Sequence, residues 1–518
     1  MRTTLALLVS LALATAGESA AQDEGGLLNE RSKTESAHGP AVATPVPPDL
    51  LDLATRAAKL ADTGGDQVPE ARRLMGNLRA DARFDALPRE FRFAVLGVAG
   101  YVEMDDGQPE AARLLFRQAL ELQDTDPDLW HWLSWVESQL DRHDDAALSL
   151  ARLFQQAPDR MDNIQDNHIW RLVHEPGVSP AARTELLQAI FDSGWKREPL
   201  GGASGLHYEL ALIRAGQGDI AALRRIVPTV TWPGDIVRMR SDKRFDAVVD
   251  PDEPAFDPLT AAARLVKSLQ AQVRRAPDRL DILTHLQSAL LVVGRFEEVI
   301  TLAEDVQSAI ESAPAHKPPY SDMDKLAWVQ NQHARALEGL GRFDMSLARL
   351  EAASRLEESG RPNVSQALNL AQMYASLDRP DEALAASARA GSDMSDIGRM
   401  VKASAEQRAY LRKGDVVAAA KALDFLRENR ATSETIYLDA LVEAGDLDTA
   451  AAVLTAQLES ADDRAEVLYK LQDFKDLPTP PAYAAVLANW KVLIARPDVQ
   501  AAVARVGRIS KVDLYHME

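Results

Sequence analysis

From Asp49-Leu50-Leu51 onward, apolar and polar positions recur with a helical period, and the pattern scarcely stops. It is punctuated by corners of one kind. Gly294-Arg295-Phe296-Glu297-Glu298 returns at Gly341-Arg342-Phe343-Asp344 and, altered, at Asp378-Arg379-Pro380-Asp381-Glu382. A sibling corner, Gly-Asp-aliphatic, stands at Gly218-Asp219-Ile220, Gly414-Asp415-Val416 and Gly445-Asp446-Leu447. Each corner lies between two alanine-rich helical stretches, which predicts helical hairpins. Corners that recur every thirty-odd to forty-odd residues predict that the hairpins stack, so the expected fold class is an all-α solenoid.

Proline-rich breaks divide this pattern. Residues 22–48 are polar and then proline-rich, ending Thr44-Pro45-Val46-Pro47-Pro48; such a stretch reads as a disordered tether. Pro251-Asp252-Glu253-Pro254-Ala255-Phe256-Asp257-Pro258 reads as a junction between an N-terminal array, 49–250, and a C-terminal array, 259–477. Pro478-Thr479-Pro480-Pro481 opens the last segment, 478–518. There Tyr483 to Gly507, with Trp490, Leu493 and Val503, predicts a pair of helices capping the open end of the stack. Two echoing segments, Asp81 to Leu87 and Asp242 to Val248, are each expected to end a helical block with Phe84 or Phe245 in its last apolar layer.

Within the hairpins a finer pattern appears. Trp130, Leu133 and Ser134 precede a turn at Asp141; Ala146, Leu150 and Leu153 follow it, and Pro158 closes the unit. This order resembles the tetratricopeptide repeat. The unit before it carries Gly100, the turn Gly107, then Ala112, Phe116 and Ala119, and Gly107 lies 34 residues before Asp141, which is the family's period. Ala334 with Ser346 and Ala371 with Ala383 are small pairs that let paired helices approach closely. From Gly294 the corners are spaced by 47, 37, 36 and 31 residues, and the longest interval holds an insertion at Pro314–Tyr320. Gln287, Gln407 and Leu438 occupy positions where the family prefers a small residue, so about eight irregular units are expected over residues 90 to 460. The resemblance implies a right-handed superhelix with a concave groove lined by the first helix of each hairpin.

The start of the chain changes the picture. Arg2, an uninterrupted apolar or small stretch from Leu5 to Ala16, and Ser19-Ala20-Ala21 before Gln22 have the layout of a cleaved secretory signal over 1–21. Its apolar core falls short of the roughly 20 residues that span a bilayer, and no later stretch approaches that length. No membrane insertion is therefore expected. With no cysteine, disulfides, thiol catalysis, cysteine-held metals and a lipid-bearing cysteine are all excluded. Together these features predict a periplasmic or secreted protein, mature from about Gln22. A net charge of −20 repels phosphate backbones and argues against nucleic-acid partners; its plainer reading is solubility for a long surface.

Motifs of catalysis fail on their context. Asp62-Thr63-Gly64 ends a helix and has no partner triplet. Ser193-Gly194-Trp195-Lys196 lacks its companion motifs, and Gly201-Gly202-Ala203-Ser204-Gly205 lacks the Gly-Lys-Ser/Thr ending that holds phosphate. His168 and His174 do not form a zinc helix. No catalytic residue, metal or cofactor is expected. The resemblance places Tyr101, His131 and Trp135 toward the groove of the first array, as an aromatic platform or as gap-filling bulk. It places Asn331, Arg335, Gln372, Arg408 and Arg412 toward the groove of the second, to clamp a carboxylate or to pair with neighbours such as Glu338 and Glu406. The expected function is a non-catalytic adaptor that binds a protein or extended peptide. The alternatives are a structural part of an envelope polysaccharide export or assembly complex, and, less favoured, an envelope enzyme.

Overall fold

The computed structural model describes residues 45–158, 166–195, 203–314, 316–358 and 361–516. The expected leader and most of the expected tether lie outside the described residues. The chain forms two compact units, Met1–Lys196 and Arg197–Glu518. Among the described residues 25 α-helices account for nearly all regular structure, with strands confined to two small ladders. The fold is an all-α solenoid of helical hairpins.

In the first unit the hairpins pair α1 (Pro48–Thr63) with α2 (Val68–Ala80), α3 (Arg89–Asp105) with α4 (Pro109–Leu122), α5 (Pro127–Gln139) with α6 (His143–Gln156), and α7 (Asp166–His174) with α8 (Pro180–Asp192). Proline at the first helical position presets the backbone of α4, α5 and α8. The Asp126 carboxylate accepts from the backbone N–H of Asp128 and Leu129, and Ser179 Oγ accepts from that of Ala182, which caps α5 and α8. Phe91, Phe93, Phe116 and Leu133 are fully buried among alanines, and that close helix packing forms the core.

The second unit opens with α9 (Ser204–Gly216), α10 (Ile220–Ile226), α11 (Pro233–Ser241) and α12 (Pro258–Arg275). Five hairpins follow. Their first helices are α13 (Leu280–Val292), α15 (Leu326–Gly339), α17 (Val364–Ser376), α19 (Asp396–Lys413) and α21 (Glu434–Ala444). Their second helices are α14 (Phe296–Ser312), α16 (Phe343–Ala353), α18 (Pro380–Arg389), α20 (Val416–Glu428) and α22 (Leu447–Glu459). A two-residue antiparallel ladder, β1 (Glu357–Glu358) and β2 (Arg361–Pro362), interrupts the chain before α17.

All eight corners anticipated in the sequence adopt one conformation. Gly107, Gly218, Gly294, Gly341, Gly414 and Gly445 have φ between 70° and 78°, and Asp141 and Asp378 take the same left-handed region at 55° and 58°. At each corner the next residue's N–H reaches back to a carbonyl five positions earlier, as in Arg295 to Leu290 and Asp446 to Leu441, 2.9 and 3.0 Å. This is the Schellman closure, which satisfies carbonyls that a helix end leaves open.

The end of the chain departs from a simple stack. After α22 come α23 (Arg464–Lys470), β3 (Asp473–Lys475), α24 (Ala484–Ala495), α25 (Pro497–Val506) and β4 (Lys511–Tyr515). Helices α24 and α25 pack on α21 and α22, but β4 returns to pair in parallel with β3 and lies against α12. Val512 and Leu514 are buried with Val237, Ala262 and Tyr469. Arg508 donates from its backbone N–H to the Ser241 carbonyl (2.9 Å) and pairs its guanidinium with Asp246 (2.5 Å); Arg238 pairs with Glu466 at 2.8 Å. The second unit thus closes its end onto its own beginning. The proline run 251–258, expected as the junction between arrays, lies inside this unit; the division falls at Lys196 and Arg197 instead. The reason is local: Phe256 is buried, Asp257 caps α12 through the N–H of Thr260, and residues 238–246 are bonded to the chain's end.

Candidate functional site

On the first unit, Tyr101 from α3 and His131 from α5 are half-buried and meet on Trp132, not on Trp135. The Tyr101 and Trp132 rings stand edge to face, 5.8 Å apart at 72°, and the His131 ring stacks on Trp132 at 5.2 Å. Burial pushes the His131 pKa down, which favours the neutral ring. Trp135 is half-buried one turn further on α5 and packs against the same core. Trp130 is also half-buried, and its indole N–H donates to the Asp124 carbonyl at 2.7 Å. Trp132 is the member that pattern-reading missed. Its only signal was its place in the Trp130–Trp135 cluster.

Behind this face lies a satisfied polar network. Arg171 donates to Nδ1 of His168 at 3.2 Å, which leaves the proton of the neutral ring on Nε2, 2.9 Å from Ser134 Oγ. Ser134 in turn donates to the Ala146 carbonyl, 2.9 Å. Burial and then the Arg171 charge bring the His168 pKa down to about 4. Glu137, fully buried, accepts from Arg117 and from Ser149. These groups hold α5, α6 and α7 together, with Ser134, Glu137 and His168 buried.

On the second unit, the five expected groove residues separate. Asn331 is buried on α15, its carbonyl accepting from Asn369 of α17 at 3.0 Å. Arg335 is half-buried beside Glu338, whose carboxylate accepts from Ser346 and whose pKa burial raises. Gln372, Arg408 and Arg412 lie together under residues 477–490 of the chain itself. Arg408 pairs with Glu443 of α21 at 2.6 Å and lies over the Tyr483 ring at 5.3 Å. Arg412 donates to the Ala482 carbonyl. The sequence suggested Glu338 and Glu406 as competing partners. Glu406 instead accepts from Ser387 at 2.7 Å, and Glu443 takes the arginine because consecutive first helices bring the two side chains together.

The covering segment follows the first helices in order. Leu477 joins the core with Leu337 and Leu340, and Pro478 sits over Gly341, where a Cβ would lie 3.3 Å from its ring. Pro481–Tyr483 meets α17, and Asn489 donates to the Val442 carbonyl at the end of α21, 2.9 Å. Tyr515 lies over Gly294 at the end of α13. A cavity of about 150 Å³ remains beneath, lined by Gln372, Ser404, Arg408, Glu443, Tyr483 and Trp490 among others. The partners missed from sequence, Glu443 and Tyr483, lie 35 and 75 residues from Arg408, beyond any helical period.

Among the described residues no group of His, Asp or Glu is arranged to hold a metal ion, and no helix is long and apolar enough to cross a membrane. No protein-family model matches the sequence, and no curated protein matches it. Among solved structures the chain is similar to the Cut9–Hcn1 hetero-tetramer of the APC/C, at 12% identity over 88% of this chain and 79% of that one, TM-score 0.36. It is also similar to yeast Tom70 (11% identity, 88% and 99% covered, TM-score 0.29) and to the TPR domain of P58(IPK) (11%, 80% and 100%, TM-score 0.21). The assignment of a helical-hairpin repeat fold rests on the hairpins and their left-handed corners, not on these overlays.

Proposed function

We propose that this protein is a non-catalytic scaffold of the bacterial periplasm or secreted space that binds a protein or extended peptide partner through the first helices of its hairpins. The observation that carries the reading is the aromatic face of the first unit, where Tyr101, His131, Trp132 and Trp135 project from consecutive first helices and stay half-buried. Half-exposed tyrosine and tryptophan rings offer large contact area at low entropic cost, the composition of binding hot spots. The layout of residues 1–21 and the absence of cysteine support the location.

The test is a crosslinked pull-down from envelope extract, using the chain from Gln22 onward, in wild-type form and as Trp135→Ala and Trp132→Ala. The expected result is one or two protein partners whose capture falls at least tenfold in the variants while helicity by circular dichroism is unchanged. Equal capture by folded variants would remove the aromatic face from the proposal.

A further inference from the structure

We infer that the first-helix face of the second unit is a binding site for an extended, proline-containing peptide, and that residues 477–483 of the chain are its resident occupant. This extends the scaffold reading to a second face, and its test reads that face alone.

The segment Leu477-Pro478-Thr479-Pro480-Pro481-Ala482-Tyr483 has no regular structure up to Pro480, which adopts φ −56°, ψ 137°, the polyproline conformation. It is held as a foreign peptide would be held. Leu477 enters an apolar site, Pro478 sits over Gly341, a main-chain carbonyl meets Arg412, and an aromatic ring meets Arg408. None of these contacts depends on a side chain that only this segment could supply. Its three prolines carry no N–H, so lifting it from the face orphans few donors. Arg408 keeps Glu443 as its counter-ion when Tyr483 leaves, which spares the face an uncompensated buried charge.

The resident also leaves part of the site unused. Nε of Arg412 is buried and makes no hydrogen bond among the described residues, although Nη2 of the same guanidinium holds the Ala482 carbonyl. A guanidinium presents both nitrogens to a carboxylate as a matched fork. A peptide with an acidic side chain at the position of Ala482 therefore gains a bond that the resident lacks. The gain matters because a short tether gives the resident an effective concentration of about millimolar, which a free ligand must overcome.

The experiment uses fluorescence anisotropy with labelled peptides spanning residues 475–485: the native sequence, one with Ala482→Glu, and one with Pro478, Pro480 and Pro481 replaced by alanine. The proteins are the wild-type chain from Gln22 and a variant whose residues 476–483 are a Gly/Ser linker of equal length. The native peptide should bind the linker variant at least tenfold more tightly than wild type, the Ala482→Glu peptide tighter still, and the proline-free peptide more weakly. Adding Arg412→Ala should abolish the advantage of the glutamate. Equal affinities for wild type and a folded linker variant, or indifference to the prolines, would overturn the inference. Hydrogen exchange on the wild type decides even if the linker variant misfolds. Amides of Leu477, Thr479 and Tyr483 should exchange at least 100-fold faster than those of Ala405 and Ala409 in α19, and equal protection would make the segment a fixed part of the core.

Discussion

At Gly294 two demands meet. Its φ of 78° lies in the left-handed region, and a Cβ there would stand 2.4 Å from the Tyr515 ring. Gly414 has the same backbone at φ 72° but open space around it. Backbone strain alone costs an L-residue about 1–2 kcal/mol at such a position. Gly414→Ala should therefore lower the stability of the second unit by about 1 kcal/mol, whereas Gly294→Ala should cost about 2–3 kcal/mol because the aromatic ring must also move. Urea midpoints of the second-unit transition measure the difference, and equal losses would remove Tyr515 from the account. Asp378 sits in the same conformation without a glycine's freedom, so Asp378→Gly should be neutral or gain up to about 1 kcal/mol. Residues of this kind were the most legible in the chain. A corner that needs positive φ leaves glycine or aspartate as a mark in the sequence itself, and all eight marks were found where the backbone uses them.

Helices were nearly as legible as corners, but what covers them was not. The resemblance put Arg408 and Arg412 toward the groove of the second array; in the structure Arg408 lines the cavity under Tyr483 and Trp490, and Arg412 donates to the Ala482 carbonyl. The resemblance could not reveal that Tyr483 and Ala482 lie on them, because periodicity reports which side of a helix is special and never what it meets. The same limit explains why Trp135 was preferred to Trp132, since neighbouring positions on α5 differ in partner more than in pattern. Arg408 now reads as a structural residue. Its side chain is 14% exposed and that of Glu443 only 3%. Arg408→Glu should destabilise the second unit by about 3 kcal/mol or more by setting a second carboxylate against a buried one. Its thermal midpoint should fall, and Arg408→Glu with Glu443→Arg should recover part of the loss. A midpoint unchanged by the single substitution would show the pair to be dispensable.

A repeat array is stabilised chiefly by neighbours, so trimming its end normally costs only the last unit. The second unit is different. Arg244 donates to the Ala461 carbonyl, Arg508 donates to the Arg240 carbonyl, and Asp242 bridges to Gly507, all across more than 200 residues of chain. Nothing in a local repeat announces such contacts, and the sequence led instead to a simple cap. Removing residues 507–518 should therefore loosen α11 and α12 at the opposite end of the unit as well as α23. Proteolysis should then cut near residues 242–258, while the first unit, which shares none of these bonds, melts as before. Cleavage confined to the last hairpin would mean that the closure contributes little.

That closure also decides how the unit bears load. Tension applied at residues 204 and 516 of an open stack would unzip hairpins one at a time from whichever end is weaker. Here the pull falls first on the clasp formed by Arg508, Gly507 and the β3–β4 ladder, with the hairpins from α13 to α20 shielded behind it. The unit should hold its length until the clasp fails and then lengthen abruptly, behaving under force as a buckle rather than as a spring.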